Sequence, residues 1–400
     1  MELTAGQPYW LINSGLLFSY PKLDNDHHAQ VAIIGGGISG ALSAYYLTEA
    51  GIPCILLDSR TIGLGSTCAS TSLIQYELDI PLHQLILKKG KGLATRCYQL
   101  CYDSVGKLLT LLKQTGFPDF EKNPSLFVST HTSQKRFMQN EWAARNAAGF
   151  DVQLLDDVAM KNMFGIRAVT GILSSNGASI DTYRLTHHLL QHAITKGLKV
   201  FDRTKVTKIK EQKKQIEVHT EEGNKISADF IVNAAGYEVI NFIDKGYVNF
   251  DCTYAIASEQ QSEKELLWRH GALVWTTDDP YLYLRITADN RILVGGRDEP
   301  FSNKITRQVL LDKKQRLLEK DVQKLMPGLS FKTEFTWSGT FGKTKDSLPY
   351  IGSLHNPKIL YALGFGGNGI TFSLIAAEMN RDFICGRKNA DAAIFNFNRS

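Results

Sequence analysis

Cysteine is scarce: the 400 residues contain six, and Cys54, Cys68, Cys97, Cys101, Cys252 and Cys385 do not space as a disulfide framework. Charge of one sign is not concentrated either. The 45 basic and 40 acidic side chains leave a formal net charge of +5 with no basic arm or tail, so charge implies no nucleic-acid partner. Met1 to Tyr20 lacks a basic leading region, and Asn13, Ser14 and Gly15 break its apolar stretch, so no signal peptide is expected. The longest uncharged stretch, Gln30 to Thr48, is interrupted by glycines, and no transmembrane segment is expected. An intracellular, reducing, cytoplasmic setting is the default reading. Internal repeats and low-complexity linkers are missing, as are a P-loop, H-E-x-x-H and G-x-S-x-G. Cys97 with Cys101, and His188 with His192, are four residues apart but have no matching ligands at zinc spacing. Helix packing explains both pairs better, and no metal is expected. With 43% hydrophobic and 21% charged residues, the composition is that of a globular protein of two or three units.

The first positive signal is Val31-Ala32-Ile33-Ile34, a short apolar run that reads as a buried parallel strand. Gly35-Gly36-Gly37-Ile38-Ser39-Gly40 follows, matching G-x-G-x-x-G, and then Ala41, Leu42, Ala44, Tyr45 and Leu47 at helical spacing. A second apolar run, Cys54 to Leu57, ends in Asp58. Gly35 permits a tight turn, Gly37 lets the backbone approach a pyrophosphate, and Gly40 lets helix and strand pack closely. The free N–H groups at Ile38 and Ser39 and the helix dipole favour phosphate, and Asp58 can accept from ribose hydroxyls. Strand, turn, helix, second strand and terminal acid together make this a dinucleotide-binding unit.

The same pattern recurs at Gly364-Phe365-Gly366-Gly367-Asn368-Gly369, after the strand-like Ile359 to Leu363. No second strand and acid follow, so this is a loop feeding a helix from Ile370 to about Cys385. The N-terminus of that helix suits negative charge, such as the N1–C2=O edge of a reduced flavin.

With these elements in place, the chain resembles the D-amino-acid oxidase superfamily of flavoproteins, which includes sarcosine and glycine oxidases, D-amino-acid dehydrogenase and γ-glutamylputrescine oxidase. The resemblance spans roughly residues 28 to 386. Besides the first unit it rests on the small-residue segment Gly63 to Ser72, on Ala178 to Leu185, on Phe230 to Gly236, and on Gly339 to Gly352 with the Gly364 loop. Tyr9-Trp10 and Tyr20-Pro21 are faintly similar to the γ-glutamylputrescine oxidase branch. The resemblance implies FAD held by Gly35, Gly37, Ile38, Ser39, Gly40, Asp58, Ser59, Arg60, Gly65, Ser66, Thr67, Ser70, Thr71 and Ser72. It adds Val206, Ala235 and Gly236 at the adenine nucleotide. Gly339, Gly366, Gly367, Asn368, Gly369, Ile370 and Thr371 are added from the C-terminal signature. Gly339 and Ala69 stand where some members attach flavin through cysteine or histidine, so noncovalent FAD is expected. Cys68 lies nearby and reads as a packed small residue rather than an attachment point.

The resemblance also implies an α/β fold: a Rossmann-like FAD-binding domain, interrupted in sequence, with a second α+β substrate domain on a mixed or antiparallel sheet. The FAD-binding segments are expected at 25–80, 150–240 and 340–390, and the substrate domain at 81–149 and 241–339. Periodicity predicts helices over Cys97–Lys113 and Ser133–Ala148. It predicts strands over Phe250–Glu259, Leu273–Thr277, Tyr281–Thr287 and Arg291–Gly296, with a turn at Asp289-Asn290. Lys208 to Lys225 reads as a solvated strand edge.

Amine oxidation asks little acid–base chemistry of a protein, but the substrate's polar end needs an anchor. Arg285 is one candidate, because alternation puts it on one strand face with Tyr281 and Tyr283, and a guanidinium suits a carboxylate. A structural arginine paired with Asp289 or Glu299 is the equal alternative. Tyr254, Tyr283, Gln75 and Asn368 are the other candidates for the substrate site, with a buried sheet tyrosine as the equal alternative for Tyr254. Three departures from the family stand out. Thr371 and the run Ile292-Leu293-Val294 lack lysines found in sarcosine oxidases, and Asn368 replaces a frequent histidine. The electron acceptor is therefore open between oxygen and a quinone or carrier. The expected function is oxidation of a C–N bond of a small amine or amino acid, giving an imine that hydrolyses. A 2-hydroxy-acid dehydrogenase and a flavin-binding subunit without turnover are the alternatives.

Overall fold

A computed structural model describes residues 2–243, 246–262 and 271–399. Two sheets organise the chain. In the first, five strands run parallel in the order Ile359–Leu363, Lys225–Asn233, His27–Ile34, Cys54–Leu57, Lys199–Phe201. Tyr350–Ser353 adds an antiparallel edge, and Val206–Glu211 with Ile216–Thr220 forms a meander on the outer half of Lys225–Asn233. Val31, Ala32 and Ile33 are fully buried, which is why this strand reads as an unbroken apolar run rather than an alternating one.

Helix Ile38–Glu49 covers one face of this sheet, packed between helices Thr182–Thr195 and Gly369–Ile384. Ala41, Leu42, Ala44 and Leu47 are at most 1% exposed, so small residues let all three helices approach. The 25-residue helix Lys91–Thr115 lies beyond and stops at Gly116, whose φ of +72° supplies the left-handed cap. All five parallel strands present their carboxyl ends at one edge of the sheet, where such folds bind ligands.

The second sheet has ten strands among the described residues, ordered Thr4–Gly6, Thr333–Lys343, Asn249–Ser258, Ile292–Pro300, Tyr283–Ile286, Leu273–Thr276, Phe120–Ser129, Thr170–Ile180, Leu73–Gln75, with Val152–Asp156 also on Thr170–Ile180. It is antiparallel except where Leu273–Thr276 runs beside Phe120–Ser129. Helix Lys304–Leu325 covers its outer face with Leu311, Leu318, Val322 and Leu325, an apolar stripe at helical spacing. The inner face looks toward the carboxyl edge of the first sheet.

The helices predicted at Cys97–Lys113 and Ser133–Ala148 are observed as Lys91–Thr115 and Lys135–Ala147. Asn290 takes φ +61° in the turn between Thr287 and Arg291, as the Asp-Asn pair predicts. Sheet membership does not follow the segment boundaries expected from sequence. Leu73–Gln75, Val152–Asp156 and Thr170–Ile180, placed by sequence with the FAD-binding segments, pair in the ten-stranded sheet, as does the start of 340–390. Leu73–Gln75, Phe120–Ser129 and Val152–Asp156 all pair with Thr170–Ile180, so this sheet draws together stretches that the sequence reading divided between the two domains. The acidic stretch Ser262 to Glu265 lies outside the described residues from Glu263 onward.

Candidate active site

One cavity of about 1020 Å³ runs from the carboxyl edge of the parallel sheet to the inner face of the ten-stranded sheet. At its nucleotide end the Asp58 carboxylate accepts from Gly36 N–H at 2.6 Å and from Arg60 N–H at 2.7 Å. Burial pushes the Asp58 carboxyl up to about 6, although both amides pull it down. Thr67 Oγ1 accepts from Ile38 N–H at 3.0 Å, fixing the start of the helix against the small-residue segment. Arg60 grips Glu238 through two bonds of 2.7 and 2.9 Å beside Val206, Ala235 and Gly236, all on the cavity wall.

Glycine is required here by contact. A Cβ on Gly35 (φ +106°) would meet Ala234 O at 2.4 Å, and one on Gly37 would meet Thr67 Oγ1 at 2.8 Å. Gly40 does not line the cavity, and its Cβ would fall 1.8 Å from Gly35 O, so its part is helix-to-turn packing. A helix N-terminus, an acid ending the next strand and a long cleft free of side chains fit an extended dinucleotide such as FAD.

In the middle of the cavity lie Gly65, Ser66, Thr67, Ser70, Thr71, Ser72 and Gly339, with Gly366 to Ile370 opposite. Three consecutive carbonyls of the small-residue segment are each held by a different side chain. Trp337 Nε1 donates to Ala69 O at 2.9 Å, Trp10 Nε1 to Ser70 O at 2.6 Å, and Arg285 Nε to Thr71 O at 2.7 Å. Ser72, at φ +58°, is 1% exposed and accepts from Thr182 Oγ1 at 2.7 Å, a strained position held from both sides. A Cβ on Gly339 would lie 3.3 Å from Ala69 Cβ, so neither attachment position offers a nucleophile. Cys68 is buried, bonds Gly65 O, and its thiol is pushed up to about 12 by burial.

The substrate candidates divide. Gln75, Tyr283 and Asn368 line the cavity. Asn368 Nδ2 donates to Glu77 O at 2.8 Å and Thr371 Oγ1 to Gln75 O at 3.1 Å, tying the glycine loop to the strand Leu73–Gln75. Thr371 itself is 3% exposed and off the wall.

Arg285 is a correction. It is buried behind the segment, gives Nη2 to Ile180 O at 2.8 Å, and its guanidinium carbon lies 5.0 Å over the Trp10 ring. It therefore holds backbone carbonyls, not a substrate carboxylate, and neither Asp289 nor Glu299 is its bonded partner. Asp289 bonds Tyr9, Thr287 and Arg291, and Glu299 pairs with Lys314.

Tyr254 is a second correction: it is fully buried on the opposite face, with Lys314 Nζ 4.8 Å over its ring. Alternation along Asn249–Ser258 puts its neighbour Thr253 on the cavity side instead, with Oγ1 3.1 Å from Tyr283 OH.

Several cavity residues carry no local motif. Asp79, Tyr281, Lys343, Phe127, Phe137 and Trp275 converge from six separate elements and loops. Phe127 and Trp275 stack with centroids 3.8 Å apart, backed by the buried Arg145 at 5.7 and 5.9 Å. Arg145 bonds Glu141 Oε1 at 2.6 Å and Glu77 Oε1 at 3.3 Å, and all three side chains are inaccessible. No spacing in the sequence marks this wall, because its residues come from elements far apart in the chain. No group of side chains suited to a metal ion exists among the described residues. Likewise, no helix of the described residues is long and apolar enough to cross a membrane.

The fold and cavity thus define a flavoprotein of the dinucleotide-binding oxidoreductase class, with a second sheet closing the reactive end. Residues 30–382 match the model of the FAD dependent oxidoreductase family called DAO, and the chain belongs to that family. FAD is its cofactor. The chain is 24% identical to the gamma-glutamylputrescine oxidoreductase of Escherichia coli strain K12, over 94% of this chain and 88% of that one. It is 22% identical to a D-amino acid dehydrogenase of Neisseria meningitidis, over 90% of this chain and 96% of the other. In fold it is similar to glycine oxidase from Geobacillus kaustophilus, with a TM-score of 0.79, 18% identity, and coverage of 94% of this chain and 99% of that one.

Proposed function

We propose that this FAD-dependent oxidoreductase oxidises a C–N bond of an amine or amino acid. The observation that carries the reading is the continuity of the cavity. The dinucleotide cradle at Gly35–Ser39 opens, past the Gly366–Gly369 loop, into a chamber walled by Phe127, Trp275, Tyr281 and Tyr283. Bound FAD supplies a two-electron acceptor for the hydride that leaves the carbon bearing the amine. The remaining nitrogen lone pair forms the C=N bond of an imine, and water then converts the imine to a carbonyl compound and ammonia or an amine.

The chain's own part is positional. The stacked Phe127 and Trp275 exclude water and offer a flat surface to the substrate. The clamped carbonyls of Ala69, Ser70 and Thr71 keep the middle segment rigid, and the start of helix Gly369–Ile384 turns its free N–H groups toward the cavity. The two named relatives, an oxidoreductase of an acylated diamine and a D-amino acid dehydrogenase, support C–N rather than C–O chemistry. The run Ile292-Leu293-Val294, without the lysine of sarcosine oxidases, favours a quinone or carrier as electron acceptor.

The test is the visible spectrum of the purified holoprotein under anaerobic conditions, with N-methyl amino acids, D- and L-amino acids, acylated polyamines, diamines and 2-hydroxy acids. Bleaching by an amine class supports the reading, and bleaching by 2-hydroxy acids alone overturns it. Rapid return of colour on admitting air would reverse the assignment of the acceptor.

A further inference from the structure

At the chamber end of the cavity, Asp79 Oδ2 accepts from Gly367 N–H at 2.8 Å. Its other oxygen, Oδ1, has no hydrogen-bond partner among the described residues, and neither has the Tyr281 hydroxyl. The two atoms converge. A Cβ on Gly367 would stand 2.7 Å from Asp79 Oδ1 and 3.1 Å from Tyr281 OH, and one on Gly366 would stand 2.2 Å from Asp79 Oδ2. Glycine at both positions therefore leaves open a small space bordered by a carboxylate oxygen and a phenol oxygen. Burial raises the Asp79 carboxyl above its ordinary value, while the Gly367 amide and the charge of Lys343 act the other way. The Asp79 side chain lies on the cavity wall and is accessible from it, so its free oxygen can take a donor brought by a ligand.

The surrounding charge has one sign in excess. Lys343 Nζ is bound to Asp251 at 2.8 Å and lies in the field of Asp298 and Asp79 as well. Asp278 and Asp279 also line the cavity, Asp278 paired with His131 at 3.2 Å. The one arginine on the cavity wall among the described residues is Arg60, joined to Glu238 at the nucleotide end. No guanidinium is left there to fork a carboxylate.

We propose that Asp79 and Tyr281 anchor a second, non-reacting ammonium group, so that the enzyme selects diamine-type substrates over α-amino acids. A carboxylate stabilises an amine in its charged form, and a charged amine does not release hydride from its carbon. The nitrogen parked on Asp79 is therefore not the one oxidised, and the aromatic chamber takes the aliphatic chain between the two. This inference rests on the proposed amine oxidation and names its substrate class.

Three matched probes test it on the holoenzyme: 1,4-diaminobutane, 1-aminobutane and 4-aminobutanoate, with homologues up to six carbons. They differ only in the distal group. The expected result is anaerobic flavin reduction with kcat/KM for the diamine at least roughly tenfold above both others, carried mainly by KM. Asp79→Asn should narrow the diamine-to-monoamine ratio to within about threefold, and Tyr281→Phe should narrow it part of the way. Perturbation of the oxidised flavin spectrum gives dissociation constants independently of turnover and should show the same order. Preference for 4-aminobutanoate or an α-amino acid would overturn the proposal in favour of Lys343 as a carboxylate anchor, with amine oxidation left standing. An Asp79→Asn variant that retains the full diamine preference would also overturn it. If no amine of any kind reduces the flavin, the functional reading itself falls and takes this inference with it.

Discussion

Gly40→Ala puts the reading of the dinucleotide cradle to its sharpest test. The new Cβ would sit 1.8 Å from Gly35 O and 3.0 Å from Gly35 C, against a floor of 3.0 Å for real Cβ contacts. Neither atom is the end of a flexible side chain, so the turn and helix Ile38–Glu49 must separate. The helix has little room to retreat, because Thr182–Thr195 and Gly369–Ile384 pack against it. Overpacking of this kind costs typically about 1–3 kcal/mol, and a backbone collision belongs at the upper end. The strain relaxes most easily when the cradle is empty, so most of it should appear as lost cofactor affinity, about ten- to hundredfold in Kd. Gly106→Ala is the matched control: it lies within helix Lys91–Thr115, its Cβ meets nothing within 4 Å, and it should leave FAD binding alone. Removing a mid-helix glycine there should stabilise by about 0.5–1 kcal/mol. The assay is fluorescence titration of apoprotein with FAD, alongside thermal melting of the apo forms to separate unfolding from weak binding. A Gly40→Ala protein with Kd within twofold of the parent would refute the close-packing argument.

Asp58→Ala leaves the Gly36 and Arg60 amides without an acceptor, and hydrogen bonds to a charged group contribute about 1.5–3 kcal/mol, so FAD titration should show affinity about ten- to hundredfold lower. Arg145→Met strands Glu77 and Glu141 in the interior and should lower stability to denaturant by about 3–5 kcal/mol. Adding Glu77→Gln and Glu141→Gln should recover more than half of that, and no recovery would show that the ion network is not the cause. Burial lowers the His187 pKa from 6.5 to about 4, so the unfolded chain binds the extra proton between those values. Stability from this group is complete above pH 6.5 and lost as pH falls toward 4, by up to about 3 kcal/mol, a slope that His187→Phe should flatten in denaturant titrations. With Gly339 and Ala69 at the attachment positions, acid precipitation should leave all the flavin in the supernatant, and yellow protein in the pellet would contradict noncovalent binding.

How much of this was legible in the chain depended on whether a contact is local. Gly35, Gly37, Gly40 and Asp58 do their work within one strand–helix–strand unit, so their spacing carries the meaning, and that unit could be read from the sequence. The chamber end is assembled from side chains far apart in sequence, such as Asp79, Thr253, Tyr281 and Lys343, and no spacing rule connects them. Alternation says which residues share a strand face but not which face meets the cavity. Tyr281 and Tyr283 share a face and both line the cavity, whereas on Asn249–Ser258 the cavity takes the face opposite Tyr254. The polar residue Thr253, not its aromatic neighbour, reaches the cavity.

Arg285 shows a different failure, one of chemistry rather than geometry. A guanidinium on the same strand face as two cavity tyrosines is a natural carboxylate anchor, and the face was right. What the chain does not announce is the competing demand for donors. The segment from Ala69 to Thr71 has no ladder of its own, so its carbonyls must be met by side chains, and Trp337, Trp10 and Arg285 meet them in turn. Once Arg285 is committed to Thr71 and Ile180, the chamber has no fork for a carboxylate, while Asp79 keeps an oxygen unbonded. The residue that makes the cofactor segment rigid is thus the one whose removal from the substrate site turns that site's charge negative. The cavity's preference for a cation and the order of its middle segment follow from the same side chain.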